Sequence, residues 1–578
     1  MNKELEMDKV FVLGLDGATP DIMMPMIEKG ELPAFKEIIR RGAYGRLKST
    51  IPPISPPAWT AFATGKNPGK NGILGFTRMI PNSYQLKLMS GADNQSKTLW
   101  ELLSQAGKKV IVMNVPMTYP PRPVNGLLIS GLDTPDIHSD FTYPAELKQE
   151  ILSKFPEYKI NLHLGGYLQT DRRRKKALQM IYDSIETRYR VADYIMDNYP
   201  WDFFIVKFNN PDIVQHHFWK YMDPDHPEYQ ADSCEEFKQA IFTVYKQLDR
   251  VAASIMKRLD PKTTLVVLSD HGAGPRINKT VYINEWLRNN GYLSTVWDTN
   301  GISNKKWRSL RNHVSTSLHT PVSFMFRHTS PGVRIFLKNM MPGAFSTLSL
   351  SFKYSGGLSS IDWSKTIAFL AEEECIRMNV KGVYPQGILD KEGYFQCRSK
   401  IIRKLKELKD PETRETIFED VLSREDAFYG SDDKELPDIK LVTREAKYDI
   451  TGKWFQDRKI QDNIFVKNEK HSRGANGMHR YEGVFFINGP YCLPHIELEN
   501  IKLIDVCPTI LFQMGIPIPK DMDGTIMKEA FHSDFLTKHP ICYEDTGEDV
   551  SNRVAQPVYS AQDESKIVDH LRSLGYIE

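Results

Sequence analysis

With 578 residues the chain is too long for one compact core, since about 150 residues is a usual domain size. Its 41% apolar content supplies a substantial buried interior, and a net charge of +2 excludes a molecule whose whole surface is built to attract nucleic acid. Any attraction for an anion must be local, and a nucleic acid duplex is not an expected partner.

The N-terminal segment MNKELEMDKVFVLGLDG lacks the charged-then-apolar layout of a secretory signal. Its apolar run, Val10–Leu15, reaches an Asp at once and reads as a strand. No stretch approaches the roughly 18 uncharged apolar residues of a membrane span. Further strands are expected at 110–113, Phe203–Phe208, 265–268 and 484–487, each nearly continuous in apolar character, as strands covered on both faces are. Amphipathic helical stretches at 171–197 and 234–257 separate them, so the fold class is α/β with a central, largely parallel sheet flanked by helices.

From Thr299 to Ile361 there is no Asp or Glu, yet Lys and Arg recur from Lys305 to Lys353, with Phe324, Phe326 and Phe336 interleaved. This is expected to belong to an inserted cap. It reads either as an ordinary solvated helical pair or as a basic lid that draws an anionic substrate or makes peripheral membrane contact. Residues 505–514 read as a core helix, 545–564 as a linker and 565–574 as a short helix. The expected division is a core at 8–295, a cap at 296–470, the rest of the core at 471–544, and a linker with C-terminal helix at 545–578. The six cysteines, Cys234, Cys375, Cys397, Cys492, Cys507 and Cys542, form no CxxC pair and read as buried thiols. A soluble cytoplasmic protein is expected, of undetermined oligomeric state.

Three expected strands run directly into residues that bind metals. The first ends at Asp16-Gly17. The second continues through Asn209, Asn210 and Pro211 to Asp212 and His216. The third passes Ser269 to Asp270-His271-Gly272. An Asp after a strand is more often a turn former or helix cap. The Asp212/His216 spacing says more, because i and i+4 share a helix face. His217 is the competing histidine, about 100° away around the helix; the register with Asp212 favours His216. Carboxylates with imidazoles and no thiolate suit a catalytic Zn²⁺, with Mn²⁺ as the alternative. His479 reads as a loop residue, so its candidacy rests on the company it keeps.

A nucleophile candidate is Ser55 in Pro53-Ile54-Ser55-Pro56-Pro57, just before a helix opened by proline. Free N–H groups at that helix start, with the dipole, can hold a phosphate. The plain alternative is an ordinary helix cap.

The ordered set FVLGLDG (11–17), PPISPPAWTAFATGKNPGKNGI (52–73), PDIVQHH (211–217), LSDHG (268–272) and GMHRYEGVFFINGP (477–490) resembles the alkaline phosphatase superfamily, in its type I phosphodiesterase/nucleotide pyrophosphatase branch. IDVCPTIL (504–511) and DMDG (521–524) resemble its C-terminal core. The resemblance implies an alkaline phosphatase-like core and two divalent ions, usually zinc. One would be held by Asp212, His216 and His479, the other by Asp16, Asp270 and His271, with Ser55 as both nucleophile and metal-bridging ligand. It further implies hydrolysis of a small phosphate ester through a phosphoseryl intermediate.

The chain departs from the family pattern in places. An Asn commonly follows the nucleophile to hold a phosphoryl oxygen; the position here is Ala58, so a helix N–H or a cap residue has to serve. Val383 follows Lys381-Gly382 where the family often carries Arg. Lys66 and Lys70 read as solvated surface residues. A sulfatase is disfavoured because Trp59 stands where the Cys/Ser-x-Pro-x-Arg pattern has its Arg. A cofactor-independent phosphoglycerate mutase carries its insertion soon after the nucleophile, and a phosphoglycerol transferase brings membrane spans. Phosphodiesters or nucleotide pyrophosphates are the expected substrates, with Trp59 or the cap offering apolar contacts to a second ester group. The alternatives are a phosphomonoesterase and a noncatalytic binding protein on the same fold.

Overall fold

The structure is a computed structural model that describes residues 9–276, 279–296, 358–431, 433–444, 447–454, 464–467, 475–545 and 558–574. The lysines, arginines and phenylalanines of the basic stretch 299–361 lie outside the described residues.

Nine strands form the central sheet. In chain order they are β1 (Val10–Leu15), β2 (Ala43–Lys48), β3 (Val110–Val115), β4 (Gly126–Ser130), β5 (Thr142–Tyr143), β6 (Phe203–Phe208), β7 (Thr264–Leu268), β8 (Glu482–Asn488) and β9 (Ile496–Leu498). Their spatial order is β9-β2-β8-β7-β1-β6-β3-β4-β5. β8 runs antiparallel to β2 and β7, and β5 runs antiparallel to β4; the other pairings are parallel. The sheet is thus α/β and mostly parallel, as the strand texture implied.

Alternation along each strand divides the side chains between two cores. Phe11, Leu13 and Leu15 of β1 and Phe204, Val206 and Phe208 of β6 face one core. That core contains the helices α2 (Asp171–Asn198), α3 (Asn210–Met222), α4 (Ala240–Arg258) and α5 (Ala561–Leu574). Val10 and Val12 of β1 and Phe203 and Ile205 of β6 face the opposite core, against α1 (Ser55–Thr64) and the helix Val506–Gln513. Helices therefore cover both faces, which is why these strands read as continuous apolar runs.

A smaller antiparallel sheet is built from Ala368–Glu372, Cys375–Met378, Ile439–Thr443 and Phe418–Ser423. Helix Lys391–Lys406 contributes Ile401 and Leu405 to its core, which also takes in Val281, Trp286 and Leu287. Lys279–Asp410 and Arg276–Asp449 ion pairs, at 2.6 and 2.9 Å, tie this unit to the segment that follows β7.

Several expectations change. Cys375, Cys492 and Cys507 are buried but Cys542 is exposed; all six thiols are free. Lys66 pairs with Asp521, and Lys70 meets Asp523 at 2.6 Å, so both anchor the segment after α1 to the DMDG turn rather than being solvated. The C-terminal helix begins at Ala561, inside the expected linker. No described helix is long and apolar enough to cross a membrane.

The docking of α5 carries a pH dependence. His570 is 2% exposed, neither of its ring nitrogens has a hydrogen-bond partner, and the His163 ring lies 4.7 Å away. Burial, followed by the neighbouring His163, pulls the His570 pKa down from 6.5 to about 3. Protonation therefore opposes docking. Stability is whole above about pH 6.5 and is lost progressively as pH falls from there toward 3. Between pH 7 and pH 5 the loss is expected to be about 2 kcal/mol in denaturant titrations. His570→Leu should lack this component; an unchanged pH response in that variant would assign the loss elsewhere.

Candidate active site

The parallel order β7-β1-β6 sets the carboxyl ends of three adjacent strands side by side. In open α/β sheets that edge is where ligands bind. Asp16 follows β1, Asp270 and His271 follow β7, and Asp212 lies in the first turn of α3 after β6.

Two groups of three side chains result, and each could hold a metal ion: Asp212 with His216 and His479, and Asp16 with Asp270 and His271. In the first, His216 Nε2 and His479 Nε2 each stand 3.3 Å from Asp212 Oδ1 and 3.0 Å from one another. In the second, His271 Nε2 lies 3.5 Å from Asp16 Oδ1 and 3.4 Å from Asp270 Oδ2. The His271 and His479 rings stack at 3.9 Å, which makes the two groups neighbours. His217, the competing histidine, belongs to neither group.

His479 is brought in by strand pairing. The segment Gly477–Arg480 is a short strand, where a loop was expected, and it runs antiparallel to Gly272–Pro275 with Ala273 opposite His479. Gly477 permits this approach, since a Cβ there would lie 2.3 Å from the Gln215 carbonyl oxygen. Gly17 has φ +65°, and a Cβ on it would come within 3.0 Å of Asp212. Its amide donates to Asp270 Oδ1 at 3.2 Å and its carbonyl accepts from Gln215 Nε2 at 2.8 Å. Gln215, absent from the sequence expectations, thus braces the loop.

The tautomers follow from the partners. His216 Nδ1 meets the Gly477 carbonyl at 2.9 Å, and His271 Nδ1 meets the Gly272 carbonyl at 2.9 Å. A carbonyl only accepts, so Nδ1 carries the proton and Nε2 presents its lone pair inward. Burial would raise the Asp212 carboxyl, but the imidazoles of His216 and His479 hold it well below its usual range. Burial, then the negative Asp16, pushes Asp270 well above its usual range. Burial and then the His271 imidazole pull His479 down to about 4.

This donor set fits divalent ions. Oxygen and imidazole nitrogen without thiolate is a zinc-type set. Asp270 Oδ2 and His271 Nε2 are buried without a hydrogen-bond partner; a cation in their group would satisfy them, and a second would satisfy the two facing Nε2 atoms of the other group. These observations agree with a binuclear site.

Ser55 is the first residue of α1; Ile54 occupies the cap position and no side chain caps the helix. The cap reading therefore gives way to another contact: Ser55 Oγ lies buried, 3.4 Å from Asp16 Oδ1. The supply of free N–H groups is smaller than expected. Pro56 and Pro57 have none, and the Ala58 amide is bonded to the Ile54 carbonyl at 3.2 Å. Trp59 offers no surface to a substrate, being fully buried against Phe62 and over Gly14. Lys207, which the motif reading did not include, pairs with Asp16 Oδ2.

The sequence model of the family described as type I phosphodiesterase / nucleotide pyrophosphatase matches residues 10–347. Among solved structures, phosphonoacetate hydrolase from Sinorhizobium meliloti 1021, in complex with phosphonoformate, is similar at 16% identity and TM-score 0.50. That match covers 87% of this chain and 94% of the hydrolase. Human ectonucleotide pyrophosphatase / phosphodiesterase 5 is similar at 12% identity and TM-score 0.46, covering 88% of this chain and 95% of that one. No curated protein sequence matches the chain.

Proposed function

The chain belongs to the type I phosphodiesterase / nucleotide pyrophosphatase family, and on that premise we propose that it hydrolyses phosphodiesters or nucleotide pyrophosphates through Ser55. The observation that carries the reading is Ser55 Oγ, set 3.4 Å from Asp16 beside two adjacent groups of metal-type ligands.

Asp212, His216 and His479 would hold one divalent ion, and Asp16, Asp270 and His271 another. Such ions supply positive charge where negative charge develops on the reacting oxygens. Ser55 is placed by α1, its hydroxyl directed at Asp16 Oδ1. Attack by Oγ on phosphorus forms the Oγ–P bond as the bond to the leaving oxygen breaks, and the proton released from Oγ is balanced by the one the leaving oxygen takes up. Water then attacks phosphorus, the Oγ–P bond breaks, and Ser55 is restored. The Ser55 amide, in the first turn of α1, is the donor available there for a phosphoryl oxygen.

Charge supports the diester preference. A monoester dianion calls for one more cationic contact than a diester. Among the described residues, two arginines close to the ligands in sequence are engaged elsewhere, Arg276 with Asp449 at 2.9 Å and Arg480 with the Pro275 carbonyl at 2.6 Å. Bis-aryl phosphate, aryl phosphate and aryl sulfate compared on Zn²⁺- and Mn²⁺-loaded protein test the proposal. The diester should be cleaved about tenfold or more faster, as one unmatched charge amounts to at least 1.4 kcal/mol at the reacting centre. A dominant monoester rate would make the chain a phosphomonoesterase, and no turnover with any ester would favour a binding role.

A further inference from the structure

Lys207 is the charged member of an otherwise apolar strand, FFIVKF, and its side chain is fully buried. A buried ammonium is unfavourable unless an opposite charge meets it, and here Asp16 Oδ2 does so. The path of this side chain is built by its neighbours. Gly14 stands opposite Lys207 in the parallel register of β1 and β6. A Cβ on Gly14 would lie 2.7 Å from Trp59 Cη2 and 3.4 Å from Lys207 Cβ and Cγ. The bare backbone of Gly14 thus admits the indole and the lysine stem together, and the ammonium lies 5.7 Å from the Trp59 ring centroid. Trp59 is one turn beyond Ser55 on α1, so the same contact ties the nucleophile's helix to the lysine. Below, the Lys207 carbonyl accepts from Arg188 NH1 at 2.8 Å.

With Oδ2 engaged by Lys207, Asp16 presents Oδ1 to Ser55 at 3.4 Å and to His271 at 3.5 Å. We propose that Lys207 is a positioning residue: its ammonium fixes Asp16 through Oδ2, aims Oδ1 at Ser55 and His271, and lets a centre with three buried carboxylates assemble before any divalent ion binds. The proposal rests on reading the two ligand groups as metal sites. Its physical content is a built-in counter-charge. Without it, Asp16 would be buried beside Asp270 with no cation paired to it until metal arrived, Arg188 acting on it only through space, so folding of the metal-free chain and metal affinity are both under its control.

The experiment uses the full chain as wild type, Lys207→Met and Trp59→Phe, each melted in EDTA and at a fixed free Zn²⁺ concentration, with zinc affinity measured by chelator competition. Loss of a neighbouring positive charge should tighten zinc binding about tenfold or more. In Lys207→Met the melting temperature should therefore fall further in EDTA than in zinc, widening the gap between them by about 1 °C or more. Trp59→Phe, a packing change, should lower both melts alike. A wild-type gap that Lys207→Met leaves unaltered would reduce Lys207 to packing and overturn the proposal with the metal sites intact. A wild type that neither binds zinc nor responds to it would remove the metal reading, and the proposal with it. Should Lys207→Met be insoluble, the Asp16→Asn/Lys207→Met double variant decides. Recovered soluble protein supports charge pairing, and continued insolubility overturns it.

Discussion

Ser55→Ala is expected to lower phosphodiester hydrolysis by about 10³-fold or more, with little change in bound metal or melting temperature. The hydroxyl makes a single weak contact, 3.4 Å to Asp16 Oδ1, and caps no helix, so its removal costs little structure. Alanine also suits the first turn of a helix already opened by Pro56 and Pro57. The effect should therefore fall on turnover, not on folding. Single-turnover chemistry sharpens the test: wild type quenched in acid should retain on Ser55 the phosphoryl group with its remaining ester substituent, and the variant should not. Equal rates in the two proteins would eliminate the covalent route, leaving direct attack by water as the mechanism to examine.

Asp212→Ala is expected to lower bound metal from about two ions per chain to about one and to reduce activity by about 10³-fold or more. Asp212 is the carboxylate between two imidazoles, 3.3 Å from each Nε2. Removing it takes away the one anionic donor of that group among the described residues and leaves His216 and His479 facing each other at 3.0 Å. The other group, Asp16, Asp270 and His271, keeps all three donors, so loss of one ion and not both is the specific outcome. Elemental analysis after dialysis against low-affinity chelator measures it. Two ions per chain retained by Asp212→Ala would show that this group is not a metal site.

Much of the core was legible because its strands are covered on both faces. Continuous apolar runs then end abruptly in polar residues, which made Asp16, Asp212 and Asp270 visible as strand-end carboxylates. Helical spacing was equally legible: Asp212 and His216, four apart, do share a face and meet at 3.3 Å. Burial was harder to read. Trp59 looked like a substrate wall and lies fully inside, because Gly14, on strand β1, leaves room for it. Lys66 and Lys70 looked solvated and pair with Asp521 and Asp523 from the far end of the chain. Lys207 had a signal, a lysine within an apolar strand, but the signal acquires meaning only once Asp16 is known to be its neighbour.

By itself the sequence determined the residue types, their spacing along the chain and their order, and those suffice to identify the family and the kind of chemistry. Strand order and register decided the rest. β7, β1 and β6 lie at 264–268, 10–15 and 203–208, and local propensity cannot dictate that they are adjacent. Nor can it pair 477–480 with 272–275, the contact that carries His479 to His271. Propensity acts over a few neighbouring residues, whereas a site with two ligand groups is assembled from side chains up to several hundred residues apart, held at ångström distances by the packing of the whole sheet.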